Sequence, residues 1–137
     1  CWGWNGFGQL GNGSTTSRLT PVNVTDLSTG VEAISLGDDY TCALTTAGGV
    51  KCWGLNSFGQ LGDGSWTYRT TPADVTGLTT GIQAIAAGDA HTCALTTDGG
   101  VRCWGYNPFG QLGDGSTTDR CSDLQSKTSE PAINAIF

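Results

Sequence analysis

The sequence predicts an all-β fold built from β-propeller blades, and three observations support this prediction. A stretch of fourteen residues occurs three times with few changes, as CWGWNGFGQLGNGS at 1–14, CWGLNSFGQLGDGS at 52–65 and CWGYNPFGQLGDGS at 103–116. The copies are 51 residues apart, and the segments between them also match in phase. No window has the 3.6-residue apolar spacing of an amphipathic helix, whereas short alternating runs lie between many of the 22 glycines. Small β-sheet repeats of this kind must stack on neighbours to bury both faces, and radial stacking gives a propeller.

The repeats divide the chain into three units. Residues 1–51 form a first repeat that starts in the middle of a blade, and residues 52–102 form a second. Residues 103–137 form a partial third repeat, in which the divergent segment 121–132, CSDLQSKTSEPA, is expected to keep none of the strand pattern. The chain thus holds about 2.7 blades. We expect them to belong to a ring of about seven or to be completed by other chains.

Within one repeat the pattern predicts three or four short strands. Apolar small residues end at a glycine, an alternating run follows, a Gly-Gly turn reverses the chain, and a returning strand carries the Cys-Trp-Gly motif. The fourth strand is predicted after the long Gly-rich loop, and the last residues match the phase of the first strand. The segments are IQAIAAG (82–88), HTCALT (91–96), VRCWG (101–105), TPADVTG (71–77) and INAIF (133–137).

Composition narrows the partners that the chain can have. The formal net charge is −6, the isoelectric point is about 4.3, and the six basic residues are scattered singly. Nucleic acids and anionic membranes attract clustered Lys and Arg, so we expect neither as a partner. No run of 18 apolar residues is present to span a membrane, and we expect any targeting segment to lie upstream of Cys1.

Four cysteines are predicted to form two disulfides across hairpins. If Leu44 pairs with Val50 across the TTAGG turn, Cys42 faces Cys52, and the same register places Cys93 opposite Cys103. Facing residues of an antiparallel pair are close enough for a disulfide. A metal site or free thiols are the weaker alternatives, because the spacing is C-x9-C and the chain has one histidine. Disulfides imply an oxidising compartment, which is secreted, cell-surface or periplasmic.

Two cysteines remain without a predicted partner inside the chain. Cys1 is in phase with Cys52, so its partner is expected about ten residues upstream. Cys121 has no counterpart, because Leu19 and Thr70 hold its phase. An alternative is a disulfide between Cys1 of one chain and Cys121 of another.

We expect no catalytic, metal-binding or cofactor-binding residue, and therefore no enzyme. His91 takes the phase of Tyr40, which favours strand packing over general-base catalysis. Serines that follow glycine lack a nucleophile elbow, and the Gly-rich loops lack the lysine of a phosphate loop. The turn aspartates lack the spacing of a calcium loop, so we interpret them as turn residues; they are Asp38, Asp39, Asp63, Asp89 and Asp114.

Comparison of the copies separates two sets of aromatic residues. Those identical in all copies are expected in the core between blades; they are Trp2, Trp53, Trp104, Phe7, Phe58 and Phe109. Those in variable loop positions are candidate contacts for a protein partner, since aromatics on a rim are enriched at interfaces, or else they cap their own blade; they are Trp4, Trp66, Tyr68 and Tyr106.

Asn12 and Asn23 fit the N-glycosylation pattern. Asn12 takes the phase of Asp63 and Asp114, so turn preference explains it equally well.

The repeated motifs of the chain resemble the regulator of chromosome condensation repeat family. The motifs that carry the resemblance are H/Y-T-C-A-L, T-x-G-G-V and W-G-x-N-x-F-G-Q-L-G-D-G-S, which occur at 87–95, 97–101 and 104–116. The resemblance covers residues 1–120, and weakly 131–137. It implies a β-propeller, usually of seven blades, that acts mostly as a protein-binding platform. The family includes a guanine-nucleotide exchange factor for a small nuclear GTPase and a secreted bacterial β-lactamase inhibitory protein. The paired cysteines of TCAL and CWG look like the secreted bacterial branch.

The function we expect is that of a non-catalytic extracellular protein-binding propeller, as a platform or an inhibitor, with a protein partner. The alternative is a structural subunit of an extracellular fibre or oligomer whose incomplete blades are completed between chains. Exchange activity is a weaker expectation, because the basic surface of a chromatin-bound factor is missing and the blades are few.

Overall fold

The structure is a computed structural model that describes the backbone of residues 1–125 and the side chains of residues 1–122. Within this part of the chain the fold is all-β, without a helix and so without one that could cross a membrane. Eight strands follow one another: β1 (Val31–Leu36), β2 (Tyr40–Thr45), β3 (Val50–Gly54), β4 (Arg69–Asp74), β5 (Ile82–Ala87), β6 (His91–Thr96), β7 (Val101–Gly105) and β8 (Arg120–Gln125).

The strands form two four-stranded antiparallel sheets, each in the order of the sequence. The β2–β3 and β6–β7 turns reverse at Gly48 and Gly99, which have φ of +76° and +88°. Only glycine adopts such angles without strain. The Thr45 hydroxyl closes the first turn, accepting from the Gly49 N–H and donating to the Gly49 carbonyl at 3.1 Å. Each sheet is therefore one blade, as the repeat pattern predicts.

The hairpin register is the one that the sequence predicts. Leu44 pairs with Val50 and Cys42 with Cys52, and the same pairing recurs between β6 and β7. The structure has the disulfides Cys42–Cys52 and Cys93–Cys103, each with a Cα–Cα distance of 4.1 Å. A link that closes a loop of this length stabilises the fold by about 2.5–3 kcal/mol in the chain-entropy model.

Two strand predictions need correction. The fourth strand covers Arg69–Asp74 instead of 71–77, because its pairing with β3 runs from Gly54↔Arg69 to Lys51↔Asp74. The prediction that 121–132 keeps no strand pattern is wrong for its first part, since β8 pairs with β7 at the same positions. An outer strand is held by backbone hydrogen bonds, so it tolerates a changed side-chain pattern. The remainder of 121–132 and the predicted strand 133–137 lie outside the described residues.

Residues 1–30 supply the outer part of a further blade. Gly3 and Arg18 form a β-bridge, in phase with the pairs Gly54↔Arg69 and Gly105↔Arg120. Cys1 and Val22 exchange backbone hydrogen bonds of 2.9 and 2.8 Å. This segment therefore takes the places that β3 and β4 have in the complete blades.

The core lies between the two sheets, where β5 packs on β1 and β2. It contains Tyr40, Leu44, Ile82 and Ile85, together with Trp104 from the second blade. The apolar side chains of one repeat are therefore buried by contact with the neighbouring repeat, as in other proteins built from stacked repeats.

The prediction that all the repeated aromatics lie in the core holds for Trp53 and Trp104. It is wrong for Trp2, Phe58 and Phe109. Trp2 is 66% exposed and Phe109 is 86% exposed, because they lie at the two ends of the described stack. Phe58 is also exposed, although its ring packs on Tyr106 of the next repeat at 4.7 Å.

Two glycines provide a matched test of how tightly the repeats stack. Gly62 and Gly113 have φ of +68° and +67°, so alanine is equally strained at both. A Cβ on Gly62 would lie 2.6 Å from Nε1 of Trp104, whereas one on Gly113 would have nothing within 4 Å. We expect Gly62→Ala to lower the free energy of unfolding by about 1–3 kcal/mol more than Gly113→Ala does. Urea denaturation measures the difference, and equal losses would contradict this packing.

Candidate protein-binding surface

The antiparallel order brings all the long loops to one end of the stack. The turns between the first and second strands, and the loops between the third and fourth, lie at the same end because the chain reverses at each step. We call this the long-loop end; it consists of residues 4–17, 37–39, 55–68, 88–90 and 106–119. Loops on a rigid sheet scaffold are the usual place for binding residues.

A buried asparagine holds each long loop in shape. Asn56 is fully buried, and its Nδ2 donates to the carbonyls of Ser65 and Thr67 at 3.0 and 3.1 Å. Its Oδ1 accepts from the N–H of Leu61 at 3.0 Å. Asn5 and Asn107 make the same bonds in their loops. The asparagine therefore replaces a network of turn hydrogen bonds that the loop backbone cannot make with itself.

The backbone carbonyl of a glutamine in the long loop links each of the first two repeats to the next repeat. The carbonyl of Gln60 accepts from Trp104 Nε1 and from the Thr92 hydroxyl, both at 2.9 Å. The carbonyl of Gln9 accepts in the same way from Trp53 and Thr41. These bonds fix the long loops of one blade on the strands of the following blade.

Sequence reasoning did not assign the asparagines and glutamines a role. The available signal was that both are identical in all three copies while lying in a polar loop, which points to hydrogen bonds inside the fold.

An ion pair closes two of the three loops. Arg69 donates to Asp63 at 2.7 Å and Arg120 to Asp114 at 3.1 Å. Partial burial would raise the pKa of Asp63, but hydrogen bonds from Ser65 and Arg69 outweigh it and lower the pKa. Hydrogen bonds from Ser116, assisted by Arg120, lower the pKa of Asp114 to about 2. These aspartates are therefore committed to the loop, as the interpretation as turn residues predicts.

Acid is expected to weaken this loop. Since the pKa of Asp114 is depressed from 3.8 to about 2, its ionised form stabilises the fold above pH 3.8, and the contribution is lost as the pH falls towards 2. Asp114→Asn is expected to lower stability at pH 6 and to match the parent near pH 2. Asn12 accepts from Ser14 at this phase, so the substitution removes the charge and keeps the turn. Thermal unfolding across pH checks this, with Glu32→Gln on the exposed β1 as control; a difference independent of pH would contradict it.

The four predicted contact aromatics all lie at the long-loop end, in two different settings. Trp66 and Tyr68 are each 51% exposed and Trp4 is 57% exposed. Tyr106 is half-buried between Phe58 and Phe109, with ring centroids at 4.7 and 6.4 Å. Trp4 also packs edge-on against Phe7. Trp66 and Tyr68 are the pair that presents exposed surface close together, at the end of the loop 55–68.

The long-loop end also carries acidic turns. Asp38 and Asp89 belong to adjacent blades, and the Asp38 N–H donates to the Asp89 carbonyl at 3.2 Å. Asp39 accepts from Gln9 Nε2 at 3.2 Å. Desolvation, followed by the nearby Asp38 carboxylate, raises the pKa of Asp39. The long-loop end therefore combines acidic side chains with exposed aromatic side chains.

The remaining candidates are a histidine, two asparagines and two cysteines. The half-buried His91 lies at the blade interface, where desolvation lowers its pKa despite the nearby Asp89, and its carbonyl accepts from the Tyr40 hydroxyl at 2.5 Å. Asn23 is exposed, whereas Asn12 is half-buried within its turn. Cys1 and Cys121 are free and half-buried. Among the described residues no group of three or more His, Cys, Asp or Glu is arranged to hold a metal ion.

The sequence matches the Regulator of chromosome condensation (RCC1) repeat over residues 1–44 and 47–95, and a second form of this repeat over 31–60 and 82–111. The chain belongs to the RCC1 repeat family. The resemblance predicted from the repeated motifs, and the β-propeller fold that it implies, are thus confirmed.

Two relatives match this chain over only part of their own, much longer chains. The chain is 40% identical over 128 residues to the ultraviolet-B receptor UVR8 of Arabidopsis thaliana, covering 90% of this chain and 29% of the receptor. It is 38% identical over 118 residues to the E3 ubiquitin-protein ligase HERC2 of Homo sapiens, covering 85% of this chain and 2% of the ligase. The chain thus spans less than a third of these relatives, and their names describe different activities.

Solved structures show the same fold. Human WBSCR16 superimposes with a TM-score of 0.79 at 25% identity, covering 97% of this chain and 36% of that one. Prp20p of Saccharomyces cerevisiae, described with its binding to Gsp1p and histones, superimposes with a TM-score of 0.76 at 20% identity, covering 93% and 34%. The binding to Gsp1p and histones is described for Prp20p itself, and neither these structures nor the named relatives above point to the secreted bacterial branch.

Proposed function

We propose that this chain is a non-catalytic, protein-binding part of an extracellular β-propeller, and that the long-loop end contacts the partner through Trp66 and Tyr68. The observation that carries the proposal is that both aromatic side chains are half exposed on a loop whose backbone is pinned. Asn56 holds the carbonyl of Thr67, which lies between them. A preorganised aromatic pair loses little conformational entropy on binding.

Comparison with the sibling repeats supports a role for Tyr68 outside the fold. At the same phase Ser17 and Asp119 accept hydrogen bonds from the backbone N–H of Asn5 and Asn107 at 3.2 and 2.7 Å. Tyrosine replaces these acceptors only in the second repeat, where the side chain is exposed. A residue that serves the loop in the first and third repeats is thus replaced in the second repeat by one suited to an interface.

The charge of this end indicates the kind of partner. Asp38, Asp39 and Asp89 lie at the same end as the aromatics, and the whole chain has a net charge of −6. A partner with an apolar patch bordered by Lys or Arg is complementary to this surface. Binding is then expected to weaken as salt is raised, because rim charges are screened.

The test uses the residues of the sibling repeats, which keep the loop intact. The chain, with a photo-crosslinking benzoylphenylalanine at position 66 or at the opposite-end position 80, is incubated with the cell-surface and secreted proteins of its source. We expect one protein to crosslink from position 66 and not from position 80. An excess of the unmodified chain should prevent this crosslink, whereas an excess of the chain with Trp66→Thr and Tyr68→Ser should prevent it much less. Equal crosslinking from both positions, or undiminished competition by the variants, would contradict the proposal.

The two hairpin disulfides support the extracellular part of the proposal, since they persist in oxidising compartments. Fractionation of the source cells, with thiol counting on the native protein, tests this. A cytosolic protein with all six cysteines reduced would contradict it.

A further inference from the structure

The structure gives different surroundings to the two asparagines that fit the acceptor pattern for N-linked sugar. The pattern Asn-X-Ser/Thr occurs at 12–14 and at 23–25. A sugar on such an asparagine is bulky and hydrated, so the folded protein must hold it on its surface. Asn23 lies in extended backbone just before a turn and is exposed, whereas Asn12 is half-buried inside a turn.

The Asn23 side chain faces away from the body of its repeat. The next residue, Val24, packs inward, since a Cβ on Gly11 would lie 2.9 Å from its Cγ1 atom. Successive side chains of an extended segment point to opposite sides. The Asn23 amide therefore points outward.

The second repeat shows that this position is accessible in a complete blade. Asp74 has the phase of Asn23, and its side chain is 60% exposed even though it pairs with Lys51. The backbone that follows is also the same, because the N–H groups of Thr25 and Thr76 donate to the preceding long loop at 2.8 and 2.9 Å. The exposure of Asn23 is thus a property of the outer strand of the blade.

The Asn12 side chain is committed to its turn. Its Oδ1 accepts from the N–H and the hydroxyl of Ser14 at 3.2 and 3.0 Å, and from Asn5 Nδ2 at 3.4 Å. In the second repeat Asp63 Oδ1 accepts in the same way, and the other carboxylate oxygen, which corresponds to the amide nitrogen of Asn12, lies 2.7 Å from Arg69 Nε. A sugar on this nitrogen would need the place that an arginine takes in the sibling loop.

Asn23 also lies away from the long-loop end. The strand β4 begins with Arg69 at that end and finishes with Asp74, which pairs with Lys51 beside the β2–β3 turn. By its phase Asn23 lies at the same far end of its own repeat. A sugar there leaves the exposed aromatics of the long-loop end free, and it shields an outer strand edge from pairing with other chains.

We propose that Asn23, and not Asn12, is the acceptor of an N-linked oligosaccharide. This inference rests on the extracellular location in the proposed function. In the transfer, Asn23 Nδ2 attacks the anomeric carbon of a sugar carried on a lipid pyrophosphate, and a C–N bond forms. The bond from that carbon to the pyrophosphate oxygen breaks, the lipid pyrophosphate leaves with the electron pair, and the amide proton passes to a base of the transferase.

Mass spectrometry of the native protein after reduction and trypsin digestion tests the proposal. Cleavage at Arg18 separates the two asparagines, since Asn23 lies in the peptide 19–51 and Asn12 in the peptide that ends at Arg18. We expect 19–51 to carry the added mass of an oligosaccharide, and the other peptide to have its unmodified mass. Thr25→Ala should abolish the addition and Thr25→Ser should keep it.

Thiol counting on the same sample separates two kinds of failure. An unmodified 19–51 in a protein with intact hairpin disulfides would overturn the glycosylation and leave the extracellular location standing. An unmodified 19–51 in a protein with all six cysteines reduced would overturn both.

The second repeat offers matched variants for the structural reason. Asp74→Asn creates the acceptor pattern at the phase of Asn23, and Asp63→Asn creates it at the phase of Asn12. Both are secreted from a host that attaches N-linked sugar, and the folded protein is analysed. We expect Asp74→Asn to gain a second oligosaccharide and Asp63→Asn to gain none. An unmodified Asp74→Asn, or a sugar on folded Asp63→Asn, would overturn the proposal.

Discussion

Replacing Trp104 by alanine is expected to lower the free energy of unfolding by about 3–5 kcal/mol, whereas Trp2→Ala is expected to change it by less than about 0.5 kcal/mol. The two tryptophans have the same place in their repeats. Trp104 is fully buried against the preceding repeat and donates to the Gln60 carbonyl at 2.9 Å, while Trp2 is 66% exposed. The difference therefore measures what stacking on a neighbouring repeat contributes.

Chemical denaturation of the two variants and of Trp53→Ala checks this result. Trp53 is 1% exposed and donates to the Gln9 carbonyl, so it should resemble Trp104. Equal, small losses for all three variants would show that the blades do not depend on one another.

The second large effect is expected at the buried asparagine of the central loop. Asn56→Ala leaves the Leu61 N–H and the carbonyls of Ser65 and Thr67 without their partner. The Leu61 N–H is buried, whereas the two carbonyls are only partly buried. An unsatisfied buried group costs about 1–3 kcal/mol, so we expect a loss of about 2–3 kcal/mol. Asn56→Asp should be comparably harmful at pH 7, because a buried carboxylate would face two carbonyls and Asp63.

The control for this prediction is Asn12→Asp, which places aspartate where the other repeats already have it. It should leave stability nearly unchanged. Thermal unfolding with intact disulfides compares the variants, and a small loss for Asn56→Ala would contradict the role given to the asparagine.

The repeats made much of the fold predictable. A constant spacing and a turn of fixed length determine which residues face one another, so the register of Cys42 with Cys52 followed from the sequence. The outer strand β8 was missed because its pairing depends on backbone groups, which the changed side chains of Cys121 and Ser122 do not affect.

Burial of the repeated aromatics was less predictable. Identity between copies shows that a residue serves the repeat, but its exposure depends on whether another repeat covers it. Trp53 and Trp2 illustrate this, because the same residue is 1% exposed in one place and 66% in the other. The exposure of Trp66 and Tyr68 was left open by the sequence for a related reason, since loop side chains either cap their own blade or face outward.

Hydroxyl-radical footprinting of the chain, free and bound to the protein crosslinked from position 66, tests the central claim most directly. The account predicts that Trp66 and Tyr68 become protected on binding while side chains at the opposite end, such as Thr80 and Thr97, remain as reactive as before. Protection confined to that opposite end or to the outer strand β4, with Trp66 and Tyr68 unchanged, would contradict the assignment of the long-loop end as the binding surface.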